Sequence, residues 1–87
     1  MDERRNAGYI ITDSIHVGNT EFVLGVNQSN GANFVTWECT GGNNYFWGHY
    51  TDNLLSAKKD LCERAMTEIR AIEQHQTPHK EKARDER

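Results

Sequence analysis

Residues 9–27 read YIITDSIHVGNTEFVLGVN, and the fold turns on how this stretch is read. Successive side chains of a strand point to opposite sides. From Tyr9 to Val17, the residues Tyr9, Ile11, Ile15 and Val17 share one side, and Thr12, Ser14 and His16 share the other. From Thr20 to Asn27, Phe22, Leu24 and Val26 alternate with Glu21, Val23 and Gly25. Gly18-Asn19 between the two runs suits a two-residue turn with positive φ. That turn sets Val17 opposite Thr20, Ile15 opposite Phe22, Asp13 opposite Leu24 and Ile11 opposite Val26, with His16 beside Glu21. The apolar sides of both strands then coincide, as a hairpin on a core requires. Asp13 falls on the apolar side, which calls for a bulge or a hydrogen-bond partner there.

Reading outward, Gln28 to Ala32 is a loop by composition. A third strand runs from Asn33 to Thr40 and a fourth from Asn43 to Tyr50, joined by Gly41-Gly42 as a second two-residue turn. This turn pairs Glu38 with Tyr45, Trp37 with Phe46, Thr36 with Trp47, and Phe34 with His49. A helix starts near Thr51-Asp52, with Ser56 as a later alternative start. Leu54, Leu61, Ala65, Ile69 and Ile72 form its apolar stripe, with Cys62 and Met66 beside it. Pro78 cannot continue the helix, so the end is expected near Gln74–Gln76. The expected layout is a flexible N-terminus at 1–7, one domain at 8–76 and a flexible charged tail at 77–87.

The expected fold is therefore α+β: a four-stranded antiparallel meander with one C-terminal helix packed on one face. The helix should cover the more apolar side, with Ile11, Ile15, Phe22, Leu24, Val26, Val35, Trp37 and Phe46. The other side would stay open and carry Phe34, Tyr45, Trp47 and His49 among His16, Glu21, Thr36 and Glu38. Exposed aromatics mark interfaces, and Tyr and Trp are frequent anchors there. Phe34, Glu38, Tyr45, Trp47, His49, Glu21 and His16 are therefore the candidate partner-binding residues. Cross-strand aromatic pairs also stabilise sheets without a partner, so both readings stand.

Composition narrows the function. At 87 residues the chain has room for one domain, which buries only about 60% of its unfolded surface. Lys+Arg 10 against Asp+Glu 13 leaves a net charge of -3, and no Lys or Arg lies between Arg5 and Lys58. Binding nucleic acid needs a positive surface, so a sheet that brings only acids argues against it. The remaining basic residues sit on the helix and tail, which is the alternative nucleic-acid reading. Cys39 and Cys62 lie at core-facing or near-core positions with no histidine at a motif spacing, and read as inert packing. His75 and His79 are four apart but straddle Pro78, and two ligands are too few for a metal site. No catalytic grouping, metal or cofactor is expected. No apolar run spans a bilayer and MDERRNAG has no signal core, so a cytoplasmic protein is expected.

YIITDSIHVGNTEFVLG (9–25), FVTWEC (34–39), YFWGHY (45–50) and AKKDLCER (57–64) also carry a resemblance. Together they resemble small proteins and domains encoded on bacterial conjugative elements and related mobile DNA. The resemblance implies an accessory role but transfers no catalytic residue. Some small proteins of mobile elements and phages inhibit host defence, anti-CRISPR proteins that bind an effector nuclease among them. The expected function is thus a non-enzymatic protein-binding module acting through the open sheet face. A host nuclease is one expected partner, and a homodimer by sheet stacking is another.

Overall fold

The computed structural model describes residues 3–76. In chain order the elements are β1 (Arg5–Asn6), β2 (Tyr9–Val17), β3 (Thr20–Asn27), β4 (Phe34–Thr40), β5 (Asn44–Thr51) and α1 (Leu54–Gln76). The strands form one antiparallel sheet in the order β1-β2-β3-β4-β5. The class is α+β with a single C-terminal helix, but the sheet has five strands instead of four. The additional strand, β1, lies in the segment expected to be a flexible N-terminus. Ala7 (φ 51°) and Gly8 (φ 85°) reverse the chain so that Asn6 pairs with Tyr9 and Arg5 with Ile10. A charged strand of two residues offers no alternation to read, which is why it is invisible in the sequence. The tail expected at 77–87 lies outside the described residues.

The β2–β3 hairpin keeps the expected register from Val17–Thr20 to Asp13–Leu24. Thr12 is then an extra residue on β2, so Ile11 meets Gly25 instead of Val26. This bulge sends Tyr9 and Ile11 to the side of the sheet opposite Ile15. The pairing of β3 with β4 also sets the faces. Across β3 and β4, Phe22 pairs with Glu38, Leu24 with Thr36 and Val26 with Phe34. Phe34 is therefore in the helix-side core at 9% exposure, not on an open face. Val35, Trp37 and Cys39 face the other way. The loop sets this register. The Asn27 amide donates to the Asn33 carbonyl, and the Asn27 side chain accepts from the amides of Ser29 and Asn30.

Between β4 and β5 the turn takes Gly41, Gly42 and Asn43, so Thr40 pairs with Asn44. The extra turn residue places Cys39 opposite Tyr45 and Glu38 opposite Phe46, and the expected pairs do not form. A second bulge at Trp47-Gly48, opposite Trp37, then sets His49 against Thr36 and Tyr50 against Val35.

Each face has its own core. On the helix side Ala57, Leu61 and Ala65 pack on Val17, Phe22, Leu24 and Phe34, with Ile15, Val26, Ile69 and Ile72 at the margin. The alanines let α1 approach the sheet. Asn53 caps the helix, accepting the Ser56 amide at 2.9 Å, so α1 starts just after the expected Thr51-Asp52. Cys62 and Met66 stay exposed and do not widen the core.

On the other side Val23, Val35, Trp37 and Cys39 form a second cluster, flanked by Tyr9, Ile11 and Tyr45. Among the described residues no helix covers it, yet Trp37 is only 4% exposed. Tyr rings do the covering: Tyr9 and Tyr50 stand edge-on to Trp37 at 5.7 and 6.3 Å, and Tyr45 lies tilted at 5.5 Å. Tyr9 and Tyr50 also meet each other at 6.0 Å. Their strands are three inter-strand spacings apart, about 14 Å in a flat sheet. The sheet is therefore concave on this side, in keeping with the twist that bulges introduce. Gly48 permits the closure, because a Cβ there would lie 2.8 Å from Trp37 Nε1 and 2.9 Å from Tyr50 Cε1.

Candidate functional site

The β5 bulge and the inner flank of α1 build the first polar cluster. A bulge leaves backbone groups without ladder partners. Arg64, with an 11% exposed side chain, takes two of them, donating to the Trp47 carbonyl at 2.7 Å and the Thr36 carbonyl at 3.1 Å. Its guanidinium also reaches Thr36 Oγ1 at 3.1 Å and lies 4.0 Å from Glu38. One turn earlier on the helix, Asp60 accepts from the Thr36 hydroxyl and from His49 Nδ1, the latter at 2.9 Å. Burial pushes the Asp60 carboxyl up, but the Thr36 and His49 hydrogen bonds and the Arg64 charge outweigh it and hold the group below its ordinary value. An ionised Asp60 only accepts, so Nδ1 of His49 carries the proton in this contact. The pair borders a cleft of about 280 Å³ lined by His49, Tyr50, Thr51, Ser56, Ala57 and Asp60.

Trp47 is the outcome of this arrangement. Its φ of 54° is left-handed, a conformation that costs an L-residue roughly 1–2 kcal/mol relative to glycine. The indole is 68% exposed and touches Phe46 edge-on at 5.0 Å. The chain thus carries backbone strain at a residue whose large apolar side chain mostly faces solvent. Nearby in sequence, Tyr50, Leu54 and Leu55 are exposed to 62%, 43% and 78%. β5 is an edge strand, and His49 is its sole titratable or charged side chain apart from Tyr45 and Tyr50. Edges are commonly blunted by Lys, Pro or a bulge, and here only the bulge is present.

The second polar cluster lies on the concave side. Glu21, 5% exposed, receives Arg4 Nη1 at 2.6 Å and Nη2 at 3.0 Å, together with the Ser14 hydroxyl. Arg4 also donates to the Tyr45 hydroxyl and the Gly42 carbonyl, and lies 5.6 Å from the centre of the Tyr45 ring. The Arg4 hydrogen bonds, aided by Ser14, pull the Glu21 carboxyl down to about 2 against the opposing effect of burial. The same carboxylate pushes Arg4 above its ordinary value. Cys39 is fully buried nearby, and burial raises its thiol, as the inert packing role requires.

The seven residues expected to share one open face are thus divided. Phe34, Glu38 and His49 face the helix; Glu21 and Tyr45 belong to the concave side; Trp47 projects from the bulge. His16 is exposed on β2, 3.8 Å from Glu21. Arg4, Tyr50, Asp60 and Arg64 complete the clusters and were missed. The sequence carries no clear signal for Asp60 and Arg64, because their partners Thr36 and Glu38 fall on the side expected to be open, and only the β4 register turns them towards the helix. Among the described residues no group of three or more His, Cys, Asp or Glu suits a metal, and no helix is long and apolar enough to cross a membrane. No family model, curated protein or solved structure matches the chain.

Proposed function

We propose that the protein is a non-enzymatic protein-binding module whose contact surface is the β5 edge around Trp47. The observation that carries this reading is the strained, solvent-facing Trp47, held at its backbone by the nearly buried Arg64. A fold that only needed to close would have glycine there. Tyr50 extends the aromatic surface along the same strand. The surface differs from the sheet face expected from the sequence, because the concave face is closed by its own tyrosines. A nucleic-acid reading gains little from the sheet: Arg5, on β1, pairs with Glu3 at 2.8 Å, and Arg4 and Arg64 beside the sheet engage internal acceptors. The mobile-element resemblance makes a host defence nuclease the first partner to try.

Capture from a host lysate, followed by titration of the retained protein, tests the reading. Trp47→Ala and Tyr50→Ala should each lose binding about thirtyfold, the range of interface anchors (about 2 kcal/mol). Lys59→Ala, on the exposed side of α1, should bind as the parent does. Full binding by a folded Trp47→Ala protein would rule the surface out. A concentration-dependent mass in sedimentation that Trp47→Ala abolishes would identify the partner as a second copy.

A further inference from the structure

We propose that the pocket around Glu21 is a guanidinium receptor, filled in cis by the N-terminal strap and open in trans to an arginine of a second polypeptide. The sheet builds this pocket without help from the strap. Glu21 stands on β3 and Ser14 on β2, while Gly42 and Tyr45 come from the β4–β5 hairpin. The fully buried Val23 and Cys39 of the concave core lie on the same strands. Glu21 presents both oxygens to the two Nη atoms of Arg4 at 2.6 and 3.0 Å, a fork that fits a planar guanidinium and not an ammonium. The Tyr45 hydroxyl accepts from Nε at 3.2 Å and from Nη2 at 2.9 Å, and donates onward to the Gly42 carbonyl at 3.4 Å. Acceptors thus surround the cation on two sides, and the Tyr45 ring lies 5.6 Å from its central carbon.

The strap is held less firmly than the pocket it fills. β1 has two residues, and its turn keeps Ala7 at a left-handed φ of 51°, which L side chains adopt only at a cost. Beyond the two pairs with β2, its backbone is tied by the Ile11 amide to the Arg4 carbonyl and, in the turn, by the Gln28 amide to the Gly8 carbonyl, so much of its hold is the Arg4 side chain itself. Lifting β1 uncovers the pocket and the edge of β2 together. An extended segment bearing arginine can then add to that edge by the pairing β1 now makes. With Arg4 lifted, the buried Glu21 keeps only the Ser14 hydroxyl and the exposed His16 at 3.8 Å, neither of which fills both carboxylate oxygens as the fork does, so the pocket favours a guanidinium from one chain or another. This site is separate from the Trp47 surface and does not depend on it.

The test uses the full chain carrying Arg4→Ala. Millimolar N-ethylguanidinium should raise its Tm in a saturable way, and N-ethylammonium at equal ionic strength should not. An acetylated tetrapeptide copying residues 3–6 should bind the variant at least about tenfold more tightly than its analogue with lysine in place of the first arginine. Parent protein, whose own strap competes, should bind the same peptide more weakly, and Arg4→Ala/Glu21→Gln should not respond. Equal responses to the two cations, equal binding by parent and variant, or a response in the double variant would each overturn the proposal. Should Arg4→Ala not fold alone, recovery of its near-ultraviolet aromatic signal by N-ethylguanidinium becomes the readout. Failure of that recovery at any concentration would refute the receptor.

Discussion

Glycine and alanine should exchange their usual ranking at position 47. In an ordinary strand, glycine is worse than alanine by roughly 0.5–1 kcal/mol, because it loses more freedom on folding. At φ 54° the Cβ of alanine meets the same steric penalty that Trp47 bears, roughly 1–2 kcal/mol, and glycine does not. Against that relief stands the unfolded-state entropy of glycine, about 0.4–1 kcal/mol. Trp47→Gly should therefore be more stable than Trp47→Ala by about 1 kcal/mol. Both lose the edge contact to Phe46, worth about 0.5–1.5 kcal/mol, so this term cancels in the comparison.

Urea denaturation resolves the difference. With an m-value of about 1 kcal/mol/M for a short chain, the midpoint of the glycine variant should lie up to about 1 M above that of the alanine variant. Thermal melts should agree, at about 4–8 °C per kcal/mol for a domain of this size. Both variants should retain the Trp37 near-ultraviolet signal, showing that the concave core is intact. An alanine variant as stable as the glycine variant, or more so, would refute the strain at Trp47 and the argument that the bulge exists to display the indole.

Three further outcomes follow from the packing and the ion pairs. Arg64→Met strips the Trp47 and Thr36 carbonyls of their donor and should cost about 2–4 kcal/mol, read as a lowered urea midpoint; a cost under about 1 kcal/mol would deny the guanidinium its role. Gly48→Ala drives a Cβ into Trp37 and Tyr50 and should cost about 1–3 kcal/mol with a changed near-ultraviolet spectrum. Glu21 falls from an ordinary 4.5 to about 2 on folding, so its contribution is complete above pH 4.5 and disappears as pH falls towards 2. Glu21→Gln should be less stable at neutral pH and lose less stability than the parent across that acid window, and parallel pH profiles would contradict the assignment.

The first hairpin was legible because its signals agree. Gly18-Asn19 fixes the turn, and Phe22, Leu24 and Val26 oppose a polar set that has only Val23 as an apolar exception. Asp13 even marked the neighbourhood of the first bulge. β4 and β5 were not legible, because Phe34-Val35-Thr36-Trp37 puts apolar residues on both sides and either face can point inward. One extra turn residue, Asn43, then inverted the start of β5, since a shift of one residue exchanges the faces. Trp47-Gly48 shifted the pairing again. The candidate residues were chosen by face, so they scattered when the faces changed; Trp47 kept its exposure only because it sits in the bulge.

Each face of the sheet also receives an arginine from outside β2–β5: Arg64 from the helix and Arg4 from the N-terminal strap. Each brings a planar donor to oxygens the sheet leaves unmatched, the bulge carbonyls on one side and a buried carboxylate on the other. The two differ in what a competitor must displace. Arg64 rides on a helix of 23 residues packed through Ala57, Leu61 and Ala65, so removing it means unfolding the domain. Arg4 rides on a strand of two residues behind a strained turn, so it can leave while the rest of the sheet stays folded. The helix-side cluster therefore acts as a fixed support for Trp47, and the concave-side cluster is the one that can exchange its ligand. Under the two proposals recognition would divide into a permanent aromatic edge and a conditional cation pocket, and separate variants at Trp47 and Arg4 should then affect binding independently.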